Sequence, residues 1–142
     1  MATPSSSEAR APARGDVIEF SFLWKHEVST GRAEGVKDRR RVIVALLDSG
    51  ARVVVMPITG TEPTHDHKVP LSAGALGLAR QSWIVTSELN ITDWPGHDLR
   101  PARKPVGAWW RYGRLSDSLR ARVADAMQAI IKSGQANIVT RR

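Results

Sequence analysis

The feature that most constrains this chain is a pair of β-branched-rich runs, Arg41 to Leu47 and Arg52 to Ile58, separated only by Asp48-Ser-Gly-Ala51. Short apolar runs punctuated by Asp, Ser and Gly read as the two strands of a β-hairpin. Neither run alternates cleanly between apolar and polar residues, so both faces of each strand have to be covered. An open sheet with one wet face does not offer that cover, and the pattern predicts a small barrel.

The rest of the chain fits around this hairpin. A length of 142 residues suits one core and is short for two ordinary domains. From Asp16 a period of two places Ile18, Phe20, Phe22 and Trp24 on one face, with Glu19 and Ser21 on the other, which predicts a first strand. Lys25 to Arg40 carries Gly31 and Gly35 without apolar periodicity and reads as a long loop. Thr61 to His67 is polar loop, Lys68 to Leu71 a short edge strand limited by Pro70, and Gly74 to Ala79 a helical turn. Ser82 to Leu89 reads as another strand, Trp94 to Pro101 as a loop and Val106 to Tyr112 as the closing strand. Ser116 is a good helix N-cap with Asp117 in the first turn, and Gly134 marks the far end. Between them Leu119, Val123, Ala126, Met127, Ile130 and Ile131 recur at three- and four-residue steps, a stripe that must dock on the barrel or on another subunit. The expected architecture is mainly β with a C-terminal helix over about 116–133. One domain spans 15–134, with a disordered Ser- and Pro-rich tail at 1–14 and a basic tail at 135–142.

Composition narrows the chemistry. With no cysteine, disulfides, thiolate nucleophiles and zinc–cysteine sites are excluded together. No apolar run is long enough for a membrane span, and the first residues lack the apolar stretch of a signal peptide, so a soluble, cytoplasmic protein is expected. The net charge is +7, and residues 100–142 hold ten Lys or Arg against Asp117 and Asp125, so the positive balance is C-terminal. Lys37, Arg39, Arg40 and Arg41 form a second cluster. Such asymmetry suits a polyanion or an acidic partner protein; its plainer reading is solubility.

Three segments together resemble a known family. Gly15-Asp16-Val17-Ile18 opens a strand, Glu34 stands five residues before Arg39 at the start of Val42-Ile43-Val44, and Val55-Met-Pro-Ile-Thr59 closes the hairpin. Their order resembles the MazF/PemK toxins of bacterial toxin–antitoxin pairs over roughly residues 15–131. The resemblance implies a small SH3-like β-barrel of PemK/CcdB type, usually a homodimer, that cleaves single-stranded RNA such as mRNA without metal or cofactor. It also implies a cognate antitoxin that silences the enzyme. On that match Arg39 is the catalytic arginine, Thr59 the site hydroxyl and Glu34 the loop acid, while Arg80, two residues before Ser82, matches an arginine used for catalysis in some members. Arg40 stands where the family usually has proline, so Arg39 and Arg40 compete for the role. Ser82 and Ala33 stand where some members have aspartate and histidine, so a base from those groups is absent.

The chemistry is coherent without the name. RNA carries its own nucleophile, and a catalyst need only accept the 2′-OH proton, stabilise charge at phosphorus and assist the leaving 5′-oxygen. Arginine suits the second task because its planar fork meets two phosphate oxygens and stays charged. Lys37, Arg40, Ser82, His26, Trp110 and Arg111 are the further candidate substrate contacts. Trp109 and Trp110 are adjacent, so on a strand one points inward and the other outward; an exposed indole beside arginines stacks a base or packs at a subunit interface. Each candidate has a plainer reading: strand-start charges for the arginines, a turn cap for Thr59, a surface carboxylate for Glu34. His65-Asp-His67 has a spacing of metal ligands but no obvious third ligand, and no metal site is expected. The alternative function on the same barrel is non-catalytic, either a topoisomerase poison of CcdB type or a nucleic-acid-binding regulator.

Overall fold

The computed structural model describes residues 11–24 and 38–141, with the side chains of Asp38 and Arg39 left out. The chain begins with β1 (Asp16–Ser21), and the predicted hairpin follows as β2 (Asp38–Leu47) and β3 (Arg52–Thr59), joined by the 3₁₀ turn Asp48–Gly50. β2 and β3 are antiparallel, with Val42 opposite Met56 and Ile43 opposite Val55. β4 (Lys68–Leu71) and β5 (Ser82–Val85) continue from β3 to form one sheet edge, where Pro70 is tolerated. β6 (Glu88–Asp93) pairs with the first half of β3, while β5 pairs with its end. On the far side, β1 pairs with β7 (Leu99–Arg100) along Glu19–Phe20 and with β8 (Arg111–Arg114) along Asp16–Ile18. Splitting one edge between two partners curls the sheet, and the result is a mainly antiparallel, barrel-like fold with one helix, α1 (Asp117–Ser133).

Burial on both faces follows the hairpin argument. Val42, Val44, Val54, Met56 and Ile58 point into one cluster with Val17, Leu71, Ile84, Tyr112 and Leu115. Their neighbours Ile43, Val53 and Val55 point the other way, against Ile18, Phe20, Phe22, Leu99 and Trp110. β1 is therefore buried along its whole length, including Glu19 and Ser21, and the expected wet face of this strand does not exist. Gly15 explains the Gly-Asp opening. It adopts φ +91°, and a Cβ there would lie 2.4 Å from the Arg120 side chain. The Asp16 carboxylate behind it is buried, accepting from Ala13 N at 2.9 Å and Arg114 Nε at 2.7 Å.

α1 has the caps read from sequence: Ser116 Oγ accepts from Leu119 N, and Gly134 takes the left-handed conformation at the C-terminus. Val123 and Ile130 of its stripe are buried on the barrel, whereas Ile131 stays exposed.

Several boundaries differ from expectation. β2 starts at Asp38, so Arg39 and Arg40 are strand residues, made so by pairing with Phe20 and Glu19 of β1. The single strand Ser82 to Leu89 is two, broken at the buried Thr86-Ser87 turn. The closing strand lies later, at Arg111–Arg114, and Val106 makes only an isolated bridge to Ala108. Leu99–Arg100 within the expected loop is β7.

The segment expected as a basic tail contains β9 (Asn137–Thr140), parallel to β6. Its lock is Arg141, only 6% exposed, which meets Asp98 Oδ1 at 2.7 Å and donates to Ser21 O at 2.9 Å and Asn90 Oδ1 at 3.1 Å. Of the expected N-terminal tail, residues 1–10 lie outside the described residues.

Candidate active-site cleft

A cleft of about 250 Å³ opens where the end of β3, the loop before β5, β1, β2 and β8 converge. Its lining includes Glu19, Arg40, Thr59, Arg80, Ser82, Arg103 and Tyr112. The structure thus gathers four sequence candidates from three separate segments: Arg40, Thr59, Arg80 and Ser82. Among the described residues three arginines and one glutamate line it, a net positive balance suited to an anion.

Each side chain is placed by its backbone. Arg40 sits in β2 opposite Glu19 of β1, and its guanidinium carbon lies 3.9 Å from the centroid of the Tyr112 ring. Arg40 Nε is buried and has no hydrogen-bond partner among the described residues. Arg80 lies across Gly60, where a Cβ would come within 2.5 Å of its Nε. Thr59 ends β3 opposite Trp83, and its Oγ1 accepts from Thr61 N at 3.2 Å. The turn-cap reading of Thr59 thus has a hydrogen bond behind it, and Thr59 also lines the cleft. Ser82 is buried and donates to Arg80 O at 3.1 Å, so its hydroxyl serves the backbone that carries Arg80.

Two members were not singled out from sequence. Tyr112, the one tyrosine of the chain, donates a short hydrogen bond to Glu19 Oε1 and accepts from Arg103 N at 3.2 Å. Burial, and then the bond to Glu19, push its phenol above the ordinary 10.0, so it remains a protonated donor at neutral pH. Glu19 is 8% exposed, and its Oε2 has no hydrogen-bond partner among the described residues. The available signals were a carboxylate inside the apolar Val17-Ile-Glu-Phe20 run and a lone tyrosine near a strand, since a buried phenol needs a partner.

Other candidates lie elsewhere. Trp110 is fully buried and packs edge-on against Trp94 at 4.7 Å, so the inward indole of the pair cannot stack a base; Trp109 is the outward one, 46% exposed. Arg111 sits 3.6 Å from Asp16 and 5.0 Å from the Trp110 ring, away from the cleft. Arg41 is buried and donates to Ile58 O at 3.2 Å, bracing the hairpin. Glu34, Lys37 and His26 fall outside the described residues, as does the side chain of Arg39. His65 and His67 have ring centroids 5.3 Å apart, and no cluster of three metal-ligating side chains occurs among the described residues. No helix among them is long and apolar enough to cross a membrane.

No protein-family model matches the sequence, and no curated protein does. A solved structure is similar in fold: an endoribonuclease in complex with its cognate antitoxin from mycobacterial species, with a TM-score of 0.58 and 15% identity. The match covers 86% of this chain and 96% of that one. At such identity the likeness is one of fold: the chain shares with that endoribonuclease a mainly antiparallel, barrel-like β architecture with one C-terminal helix.

Proposed function

We propose that the protein is the toxin of a toxin–antitoxin pair and cleaves single-stranded RNA in this cleft. The observation that carries the reading is the convergence of Arg40, Arg80 and Thr59 on one electropositive cleft in a fold shared with an endoribonuclease. The two arginines bind the non-bridging oxygens of the scissile phosphate and stabilise the charge that grows there. Thr59 holds a phosphate oxygen or the 2′-oxygen by its hydroxyl. Glu34, in the segment leading to β2, is the acid that the family resemblance puts beside them. The 2′-oxygen passes its proton to Glu34 or to water and bonds to phosphorus, the bond to the 5′-oxygen breaks as that oxygen takes a proton from water, and a 2′,3′-cyclic phosphate and a free 5′-hydroxyl result. This chemistry uses the nucleophile already in RNA, so the reaction runs without metal. Of the competing arginines we assign the phosphate role to Arg40, a cleft-lining residue, the side chain of Arg39 lying outside the described residues.

The partners that follow are a second copy of the chain and an acidic antitoxin protein that covers the basic cleft, as the structural neighbour is bound by its own antitoxin. Ser82, bonded to Arg80 O and offering no carboxylate, favours the second reading, a non-catalytic binding module on the same barrel. Incubation of purified protein with single-stranded RNA in excess EDTA separates the two. Nicks ending in cyclic phosphate or its 3′-phosphate product support the enzyme, whereas intact RNA with retained binding supports the module.

A further inference from the structure

The cleft poses a question of electrostatics. Arg40 and Glu19 are direct partners across the β1–β2 ladder, an arrangement in which opposite charges ordinarily pair. Here they do not. Among the described residues Glu19 makes its bond to the Tyr112 hydroxyl, and Arg40 makes no ion pair with it. The Arg40 guanidinium instead lies 3.9 Å over the face of the Tyr112 ring. Glu19 Oε2 and Arg40 Nε are both buried and have no hydrogen-bond partner among the described residues. Unmet polar atoms of this kind are uncommon, and two from opposite charges on paired residues mark a separation that something maintains.

We propose that Tyr112 is a positioning residue that keeps Arg40 away from Glu19, so that the guanidinium remains unspent for an RNA phosphate. The ring supplies an electron-rich face for the cation, and the hydroxyl engages one carboxylate oxygen. One side chain thereby occupies both members of the would-be pair. Its phenol is held protonated by burial and by Glu19, so the donor that restrains the carboxylate persists at neutral pH. An arginine already paired with a buried carboxylate would have to break that pair before meeting a phosphodiester, and the substrate would lose affinity accordingly. The proposal rests on the reading of Arg40 as the phosphate-binding group, and it predicts a suppressor: without Tyr112, Glu19 traps Arg40, and removing the Glu19 charge frees it.

The test combines Tyr112→Leu, Tyr112→Phe, Glu19→Gln and the double variant Glu19→Gln/Tyr112→Leu. Each is measured for RNA cleavage in EDTA, for binding of an uncleavable 2′-deoxy oligonucleotide, and for the ¹H–¹⁵N resonance of Arg40 Nε. In the wild type that resonance is expected upfield of other arginines, because the guanidinium lies over a ring face. Tyr112→Leu loses the upfield shift and at least tenfold in oligonucleotide affinity, and the double variant recovers most of the affinity. A merely structural tyrosine gives no such rescue, so a double variant as weak as Tyr112→Leu overturns the proposal. Should Tyr112→Leu not fold, Tyr112→Phe and Glu19→Gln/Tyr112→Phe decide: without the hydroxyl the freed carboxylate draws Arg40 and oligonucleotide affinity falls, and that double variant recovers it. A Tyr112→Phe affinity equal to wild type, or a loss that Glu19→Gln/Tyr112→Phe does not recover, overturns the proposal. Because binding and resonance do not require turnover, a wild type that leaves RNA intact refutes the ribonuclease reading separately from this one.

Discussion

Arg141 offers the sharpest perturbation of the fold, because the sequence reads as a free basic tail at the position where the structure has a buried clamp. Its guanidinium is 6% exposed, 2.7 Å from Asp98 Oδ1, and donates to Ser21 O and Asn90 Oδ1. Arg141→Ala leaves the buried Asp98 carboxylate without its cation and removes the hydrogen bonds to Ser21 O and Asn90 Oδ1. Removing one partner of a buried ion pair typically costs about 3–5 kcal/mol. That is a fifth or more of the stability of an ordinary small domain, about 5–15 kcal/mol. At about 3–4 °C per kcal/mol for a chain of this size, Tm falls by roughly 10–20 °C. Differential scanning calorimetry measures the loss, and the double variant Arg141→Met/Asp98→Asn, which removes both charges and keeps the volume, recovers most of it. A tail residue in solvent changes stability by less than about 0.5 kcal/mol. A midpoint for Arg141→Ala within about 2 °C of wild type therefore refutes the clamp.

Three further outcomes follow from the cleft. Thr59→Val keeps the shape of the β3 end but loses the hydroxyl, and RNA cleavage falls by about 100-fold, the lower range for removal of one stabilising donor, as read in single-turnover assays. Gly60→Ala places a methyl group 2.5 Å from Arg80 Nε, displacing only the far end of a flexible side chain; Tm stays within a few degrees while KM for RNA rises. Because the Tyr112 phenol is pushed above 10.0 in the folded protein, its contribution to stability is complete below pH 10 and is lost as pH rises beyond it. Denaturant unfolding from pH 8 to 11.5, at about half-unit steps, shows a steeper alkaline decline for wild type than for Tyr112→Phe.

The hairpin and the helix were legible because each is signalled locally. Apolar runs around Asp48-Ser-Gly-Ala51 specify one, and Ser116, Gly134 and a periodic stripe specify the other. The double burial of Val53 to Ile58 carried the barrel expectation, and the two opposed apolar clusters bear it out. Long-range pairing was less legible. Arg39 and Arg40 look like loop charges until Phe20 and Glu19 are seen across from them, and Asn137–Thr140 looks like a tail until β6 supplies its partner. Trp110 was misplaced among substrate contacts because adjacency says that one indole of a pair points inward without saying which. In the cleft, Thr59, Arg80 and Arg40 were named from sequence, whereas Glu19 and Tyr112 lie 93 positions apart and only folding brings them together.

The most direct test of the central claim is the cleavage rate of single-stranded RNA, in EDTA, for Arg40→Ala beside Arg39→Ala and wild type. A phosphate-binding Arg40 predicts cyclic-phosphate products from wild type and a loss of about 100- to 1,000-fold for Arg40→Ala. Undiminished cleavage by folded Arg40→Ala, or RNA left intact by the wild type, contradicts the account.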